Sequence, residues 1–357
     1  MDQGKSKIKV ALVGIGNCAS SLVQGVTFYS KPENKSVGLM HYTFAGYDIS
    51  DIKFVAVFDV DKRKVGNDLA EAIFSAPNCT KKFQDVDRLN VRVLKGNVLD
   101  GVAPHMQEYF IVDSSQKSVD VVHELKKSGA DMLISYLPVG SAEASRFYAN
   151  QALKAGVGFI NAIPEFICSD PEWIAKFKEK GLPCAGDDIK SQFGATILHR
   201  ILSRFIEDRG HKIDNTYQLN IGGNTDFLNM KNESRLNSKR ISKTNAVTSI
   251  LENKEFGVRI GPSDYIPHLN DNKVCYINIK GKQFGNLPFE IDVKLSVEDS
   301  PNSAGVMVDV IRGMKVALDR KISGNLEAIS TYYFKSPALQ YRDDVARKMV
   351  EDFINFK

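Results

Sequence analysis

A doubly wound parallel α/β sheet, interrupted by a smaller α+β insertion, is the fold this sequence predicts. Three observations carry that reading. The first half alternates short, continuously apolar runs with amphipathic ones, the rhythm of βαβ units whose strands are covered on both faces. The first apolar run ends in a glycine-rich turn. Past about residue 210 the rhythm gives way to alternating runs joined by a short polar loop, the pattern of an antiparallel hairpin.

The elements follow in order. "IKVALVG" (8–14) is an apolar strand, and a helix follows over roughly 17–29. Residues 29–50 form a polar, Gly/Pro-bearing insertion. "KFVAVFDV" (53–60) is the next strand, and "KRKVGNDLAEAIF" (62–74) predicts a helix. "VRVLKG", the helix of "VDVVHELKKSG", the strand "DMLISYLP", the helix "AEASRFYANQALKAG" and the strand "VGFINAIP" continue the alternation. "DPEWIAKFKEKG" is a helix with proline near its start, and "LPCAG" a short strand. "TYQLNIGGN" opens the second pattern. "NKVCYINIKGK" and "PFEIDVKLSVED" pair through "QFGNL". "SPNSAGVMVDVIRGMKVALDRK" is a long helix with capping residues at its start; "TYYFKSP" and a charged amphipathic helix close the chain. The expected division is 1–205 with 300–357 as a discontinuous nucleotide-binding domain, and 206–299 as a catalytic and assembly domain.

The 357 residues, 43% hydrophobic and 25% charged, suffice for one large or two ordinary domains. A net charge of only +4 argues against a dedicated nucleic-acid binder. The surplus is local. Residues 231–282 hold ten Lys/Arg against five Asp/Glu, which suits a small anionic ligand. Five scattered cysteines, Cys18, Cys79, Cys168, Cys184 and Cys275, read as reduced thiols in a cytosolic protein and offer no zinc framework. The basic start precedes too short an apolar run for a signal peptide, and no stretch approaches a transmembrane helix.

"VGIGNCAS" supplies the pattern Gly14-x-Gly16-x-x-Ala19 between strand and helix. Gly14 permits the turn, Gly16 lets backbone approach a pyrophosphate, and Ala19 allows close helix–strand packing. With Asn17 and Cys18 at the helix start, this reads as a Rossmann-type dinucleotide site; the alternative is a tight βα turn with no ligand. Asp59, at the end of the second long strand, is the expected ribose acid and favours NAD over NADP. It stands 43 residues past Gly16 rather than about 20; the 29–50 insertion absorbs the difference.

Polar clusters mark the second half. "AGDDIKSQFGAT" (185–196) precedes a helix, where Ser191 and backbone amides suit an anion and Asp188 and Ser191 also suit capping. "NIGGNTDFLN" offers Asn224 and Asp226, and "VEDSPNS" offers Asp299. Lys273 precedes an apolar strand, and Lys335 trails three aromatics. In "SKRISKTNA", Lys239 and Lys243 share one face if the stretch is helical, and like charges so placed repel unless an anion bridges them. His199 and His211 read as structural.

Together, "VALVGIGNCASSLVQG", "SYLPVGS", "GDDIKSQFGAT", "GGNTDFLNM", "SKRISKTNAV", "EDSPNSAGV" and "YFKSP" closely resemble the inositol-1-phosphate synthase (myo-inositol-3-phosphate synthase) family in its shorter bacterial form, over nearly the whole chain and in the family's order. The resemblance implies a cytosolic, NAD-dependent homotetramer that isomerises D-glucose 6-phosphate to 1D-myo-inositol 3-phosphate. It implies no nucleic-acid or membrane partner. A divalent or monovalent cation is compatible with the family, but no metal site is read from these residues. The chemistry oxidises C5, enolises through C6, closes the ring onto C1 and reduces C5 again, building charge on O5, the enolate and O1. Carried over by motif, Lys239 exchanges the O5 proton with Asp188 as partner. Lys243 stands near phosphate and sugar hydroxyls, and Lys273 and Lys335 stabilise oxyanions. Ser191 and Asn224 join Lys243 at the phosphate. Leu137, Pro138, Ala162, Asp226 and Asp299 line the cofactor. A lysine that exchanges protons needs a lowered pKa. Two alternatives share the nucleotide domain: a net NAD-dependent dehydrogenase, and a non-catalytic NAD-binding regulator.

Overall fold

The computed structural model describes residues 6–34, 37–232, 235, 237–251 and 256–356, apart from the side chains of 237 and 238; of the basic start, Lys5 lies outside them, and Lys7 pairs with Asp51. Strand β1 (Ile8–Val13) leads through the glycine turn into helix α1 (Asn17–Tyr29). A small ribbon, β2 (Thr43–Phe44) with β3 (Tyr47–Asp48), precedes β4 (Ile52–Asp59). Then come α2 (Leu69–Ala72), β5 (Val93–Lys95), α3 (Val121–Ser128), β6 (Met132–Ser135), α4 (Ala142–Ala155), β7 (Gly158–Asn161), α5 (Pro171–Glu179) and β8 (Pro183–Gly186). The second pattern comprises α6 (Ala195–Asp208), β9 (Lys212–Gly222), α7 (Thr225–Asn229), α8 (Asn237–Thr248), β10 (Gly257–Tyr265), β11 (Asn272–Lys282) and β12 (Pro288–Glu298). Helix α9 (Asp299–Asp319), β13 (Gly324–Asn325), α10 (Glu327–Tyr333) and α11 (Asp343–Ile354) end the chain.

The main sheet runs β13-β8-β7-β6-β1-β4-β5, and every pairing in it is parallel. Its central strands are buried on both faces because helices cover both. The chain moves from β1 outward to β4 and β5, then crosses back to β6 on the other side of β1. A crevice therefore opens beyond the carboxyl ends of β1 and β6, where ligands bind in such sheets. The second sheet runs β10-β9-β11-β12. The expected hairpin is β11–β12, in antiparallel register from Asn272↔Glu298 to Lys282↔Pro288. Helix α6, which begins before residue 205, buries Ala195 and Ile206 with Ile213, Cys275, Ile277 and Ile279 of this sheet.

Three local expectations change. The helix expected over 62–74 is only Leu69–Ala72. Gly66 takes a left-handed φ of +93°, and Asp68 caps the shortened helix through Ala70 N–H while also accepting Leu89 and Val91 N–H. Strand β10 was not anticipated, since "GVRIGPSDY" carries glycines and a proline; it is an edge strand, where proline is tolerated. The 29–50 insertion is polar but anchored. Phe44, Tyr47 and Ile49 are buried, and Arg312 of α9 donates to the carbonyls of His41 (2.9 Å) and Tyr42 (3.1 Å). No helix among the described residues is long and apolar enough to cross a membrane.

Candidate active site

At the carboxyl end of β1, Gly14 has φ +87°, and a Cβ there would lie 2.6 Å from the Tyr136 carbonyl oxygen. Gly16 caps α1 without a side-chain hydrogen bond, and a Cβ on it would meet open space. The first amides of α1 thus face the crevice bare, as an anion requires. Asp59 accepts Ile15 N–H on Oδ2 at 2.7 Å, and Val60 and Asp61 N–H on Oδ1 at 2.7 and 2.9 Å. Its carboxylate is thereby fixed beside the turn. From below, buried Lys64 donates to Ile15 O at 2.7 Å and to Asn78 Oδ1 at 2.9 Å; neither residue was singled out from the sequence. Asn17 Oδ1 accepts Cys79 and Thr80 N–H. Burial pushes the Cys18 thiol up to about 11. Leu137, Pro138 and Ala162 complete this wall. Ala19 does not line it; it is fully buried in the core beneath, the packing role its small size allows.

This half of the cleft fits a dinucleotide: a bare helix N-terminus, a glycine with space above it, and a fixed carboxylate at the neighbouring strand's tip. Gly14→Ala places a methyl in a disfavoured backbone region and against the Tyr136 carbonyl. The expected result is a melting temperature lower by several degrees, from a loss exceeding about 1 kcal/mol, together with weakened dinucleotide binding. Thermal unfolding and a titration with NAD check both.

The other half is built from lysines. Helix α8 turns Lys239 and Lys243 inward, at 13% side-chain and 7% residue exposure, whereas Arg240 is exposed. Asp188, buried and at φ +60°, is the hub. Lys335 Nζ donates to its Oδ1 at 2.8 Å and to the Ile189 carbonyl at 2.7 Å. Ser242 Oγ donates to its Oδ2 at 2.6 Å, and Lys239 Nζ lies 3.6 Å from Oδ1. Lys239 also stands 3.9 Å from Asp226, and Lys273 pairs with Asp299. The two acids read from sequence as cofactor-lining are therefore also counter-ions of the cluster.

Electrostatics separates the lysines. Burial alone would raise the Asp188 carboxyl, but Lys239 and Lys335 hold it far below the usual range. Burial opposes the Lys239 ammonium, yet Asp188, Asp226 and Asp299 raise it above the ordinary lysine range. Lys243 goes the other way. Burial, then repulsion from Lys239, Lys273 and Lys335, lowers it to about 7. Lys335 is lowered too, chiefly by burial. The proton-exchanging lysine was expected at Lys239, but the lowered ammonium on the shared helix face is Lys243. Among the described residues no carboxylate lies within ion-pair distance of Lys243.

In the same cleft as Lys243, α6 is preceded by Gly194, which caps it without a side-chain hydrogen bond. Ser191, Gly194, Ala195 and Thr196 line the cleft with it. Gln192 is turned away, its amide donating to Gly38 O at 3.1 Å and its backbone N–H to Asn302 O at 3.0 Å. Thr196 went unnoticed because a threonine one residue into a helix looks unremarkable in sequence. Asn224 lines the cleft. Its Oδ1 accepts Asp226 and Phe227 N–H as the cap of α7, and one of its two Nδ2 hydrogens goes to Asp271. Asp271, also missed, holds Ser300 through its hydroxyl at 2.9 Å and its amide at 3.2 Å; burial and Asp299 raise it to about 6. Asp187 accepts five donors from 161 and 167–169 and fixes the floor of the site. Behind it, buried Arg200 joins Asp343 (2.8 Å), Tyr341 O and Ala246 O of α8.

Comparison with known proteins agrees with this geometry. The family model for myo-inositol-1-phosphate synthase matches residues 194–300. The chain is 52% identical over 362 aligned positions to the inositol-3-phosphate synthase of Mycolicibacterium smegmatis, covering 99% of each. It is 50% identical over 358 positions to that of Corynebacterium glutamicum, covering 98% of each. Among solved structures, a myo-inositol-1-phosphate synthase-related protein from Thermotoga maritima superposes with TM-score 0.80 at 24% identity, covering 98% of both chains, which bears on the fold.

Proposed function

The chain belongs to the myo-inositol-1-phosphate synthase family, and on that premise we propose that it converts D-glucose 6-phosphate to 1D-myo-inositol 3-phosphate without net redox change. The observation that carries this reading is the second half of the cleft: four lysines around buried Asp188, next to a bare helix N-terminus and joined to a dinucleotide-shaped crevice. A net dehydrogenase needs one proton acceptor. A cluster of this size suits a reaction in which charge grows on several oxygens in turn.

Gly14, Gly16, Asn17 and Asp59 would hold NAD along the glycine turn, and the bound cofactor would supply temporary storage of a hydride. The other contributions come from side chains. The phosphate dianion belongs at the start of α6, against Ser191, Thr196 and the amides that follow Gly194, with Lys243 alongside. Its approach draws a proton onto Lys243, because a dianion offsets the repulsion that lowers it. Asn224, which caps α7 through its oxygen, has a second amide N–H to offer the phosphate. Lys239, held charged by three carboxylates, is the fixed cation for O5. Lys335, lowered and bound to Asp188, is the group placed to move the O5 proton, and Asp188 receives the balancing charge. Lys273, paired with Asp299, faces O1. We keep 1–205 with 300–357, and 206–299, as the two functional units, with α6 at their joint. Homotetramer assembly in the cytosol belongs to the same proposal; the outward face of the second sheet, where Tyr217, Leu219 and Tyr276 are exposed, is the surface available for it.

The test is incubation with glucose 6-phosphate and NAD, with chromatography of the products. Inositol monophosphate should accumulate with no build-up of NADH. NADH formed in step with product, or no cyclitol, would reject the reading.

A further inference from the structure

Beside Lys273, on the neighbouring strand of the same sheet, β9 presents two buried side-chain amides, Gln218 and Asn220, to the ligand space. They end a hydrogen-bond chain that starts at fully buried His199 of α6. The ring's Nε2 lies 2.9 Å from Thr216 Oγ1 and its Nδ1 lies 3.2 Å from Gln218 Oε1. Gln218 Nε2 lies 3.1 Å from Asn220 Oδ1. Both ends of the chain are pinned by backbone carbonyls, which only accept. Thr216 Oγ1 donates to Asn278 O at 2.6 Å, so it can only accept from His199. Asn220 Nδ2 donates to Gly261 O at 2.9 Å, so its oxygen faces Gln218.

Followed inward from both ends, these directions require an N–H on each ring nitrogen. A neutral imidazole has one. The ring has no carboxylate partner among the described residues, and burial pushes it down to about 4, so it is neutral at physiological pH. One link must therefore reverse. The Thr216 link is held by its short bond to the sheet carbonyl. The free link is the Gln218 amide, whose oxygen and nitrogen exchange places by a half-turn. After that turn Gln218 donates to Nδ1, and its oxygen stands opposite the oxygen of Asn220. Two carbonyl oxygens at that separation need a hydrogen between them, and the cleft is where it comes from.

We propose that Gln218 is a specificity-determining residue that accepts a hydrogen bond from a hydroxyl of the sugar chain, and that His199 is the positioning residue that turns its amide to do so. This inference rests on the sugar-phosphate reading of the site. A buried acceptor left without its donor costs roughly 1–3 kcal/mol. The wild type should therefore discriminate against one glucose 6-phosphate analogue deoxygenated at C2, C3 or C4 by on the order of tenfold to a hundredfold in kcat/KM.

The experiment measures steady-state kinetics of wild type and Gln218→Met with glucose 6-phosphate and the three monodeoxy analogues, alongside NAD affinity and NMR of isotope-labelled histidine. In Gln218→Met, discrimination should collapse to about onefold for that analogue, with NAD affinity unchanged. His199 should appear as a neutral ring protonated on Nε2. Undiminished discrimination in Gln218→Met overturns the specificity role. A charged ring, or one protonated on Nδ1, overturns the positioning role. If the wild type makes no cyclitol from glucose 6-phosphate, the sugar-phosphate reading fails instead, and the NMR result still decides the positioning.

Discussion

Lys243→Met should abolish turnover while raising the melting temperature. Methionine keeps the length and apolar stem of lysine but removes the charge. In the resting protein that charge is a burden: Lys243 is buried, faces three other ammonium groups, and is lowered from 10.5 to about 7. A buried charge without a partner costs free energy that an apolar side chain of similar shape does not. Each kcal/mol so recovered raises the melting temperature by about 2–4 °C, or somewhat less in a chain this long. Turnover should fall by at least 10²–10³-fold, the typical loss of one preorganised charge-stabilising group, with NAD affinity unchanged. The pH dependence has a definite sign. Between about 7 and 10.5 the unfolded chain holds a proton on this lysine that the folded chain has released, so wild-type stability rises with pH through that window. The variant loses this contribution. Lys190, also lowered to about 7 by burial and Arg200, keeps its own. Denaturant melts across that pH range, paired with assays, check both halves. A destabilised variant, or one with full activity, would contradict the assignment.

Asp188→Asn should be the most damaging conservative substitution in the site. The amide fills the same space and still accepts from Lys335, but it leaves Lys239 and Lys335 as buried cations without their shared anion. Breaking a buried pair by removing one partner costs about 3–5 kcal/mol, so a large fall in melting temperature should accompany loss of activity. Residual activity should also lose its alkaline side at lower pH than in the wild type, because both ammonium groups deprotonate more easily once the carboxylate is gone. Unchanged stability would mean that Asp188 is not the hub of the cluster.

The sequence made the fold legible where local pattern and tertiary context agree. The apolar runs at β1, β6 and β7 are buried on both faces apart from Lys9, and continuous hydrophobicity has few other uses at that length. It misled over 62–74, where amphipathic spacing hid the turn made by Gly66 and the capping of Asp68. It was silent on β10, whose edge position tolerates residues that argue against a strand. Within the site, residues in distinctive motifs came together as expected: Lys239, Lys243, Lys273, Lys335 and Asp188 share one cleft with the glycine turn. What sequence could not show is which neighbour each charge meets. The opposite shifts of Lys239 and Lys243, one turn apart on α8, arise because Asp188, Asp226 and Asp299 outweigh burial at one, whereas burial and three neighbouring cations act together at the other. The capping role of Asn224 was hidden because α7 is only five residues long. Thr196 closed a quoted motif without being singled out, Gln218 and Asp271 carried none, and only the fold brings the three to the cleft or its border.

The most direct test of the account is the fate of the hydrogen at C5. The enzyme should be given glucose 6-phosphate carrying deuterium at C5, with excess unlabelled NAD, and the products read by mass spectrometry. If one cleft oxidises, cyclises and reduces without releasing its intermediates, the inositol monophosphate retains the deuterium and no labelled NADH appears in solution. Deuterium in free NADH, or an inositol monophosphate that has lost its label, would contradict it.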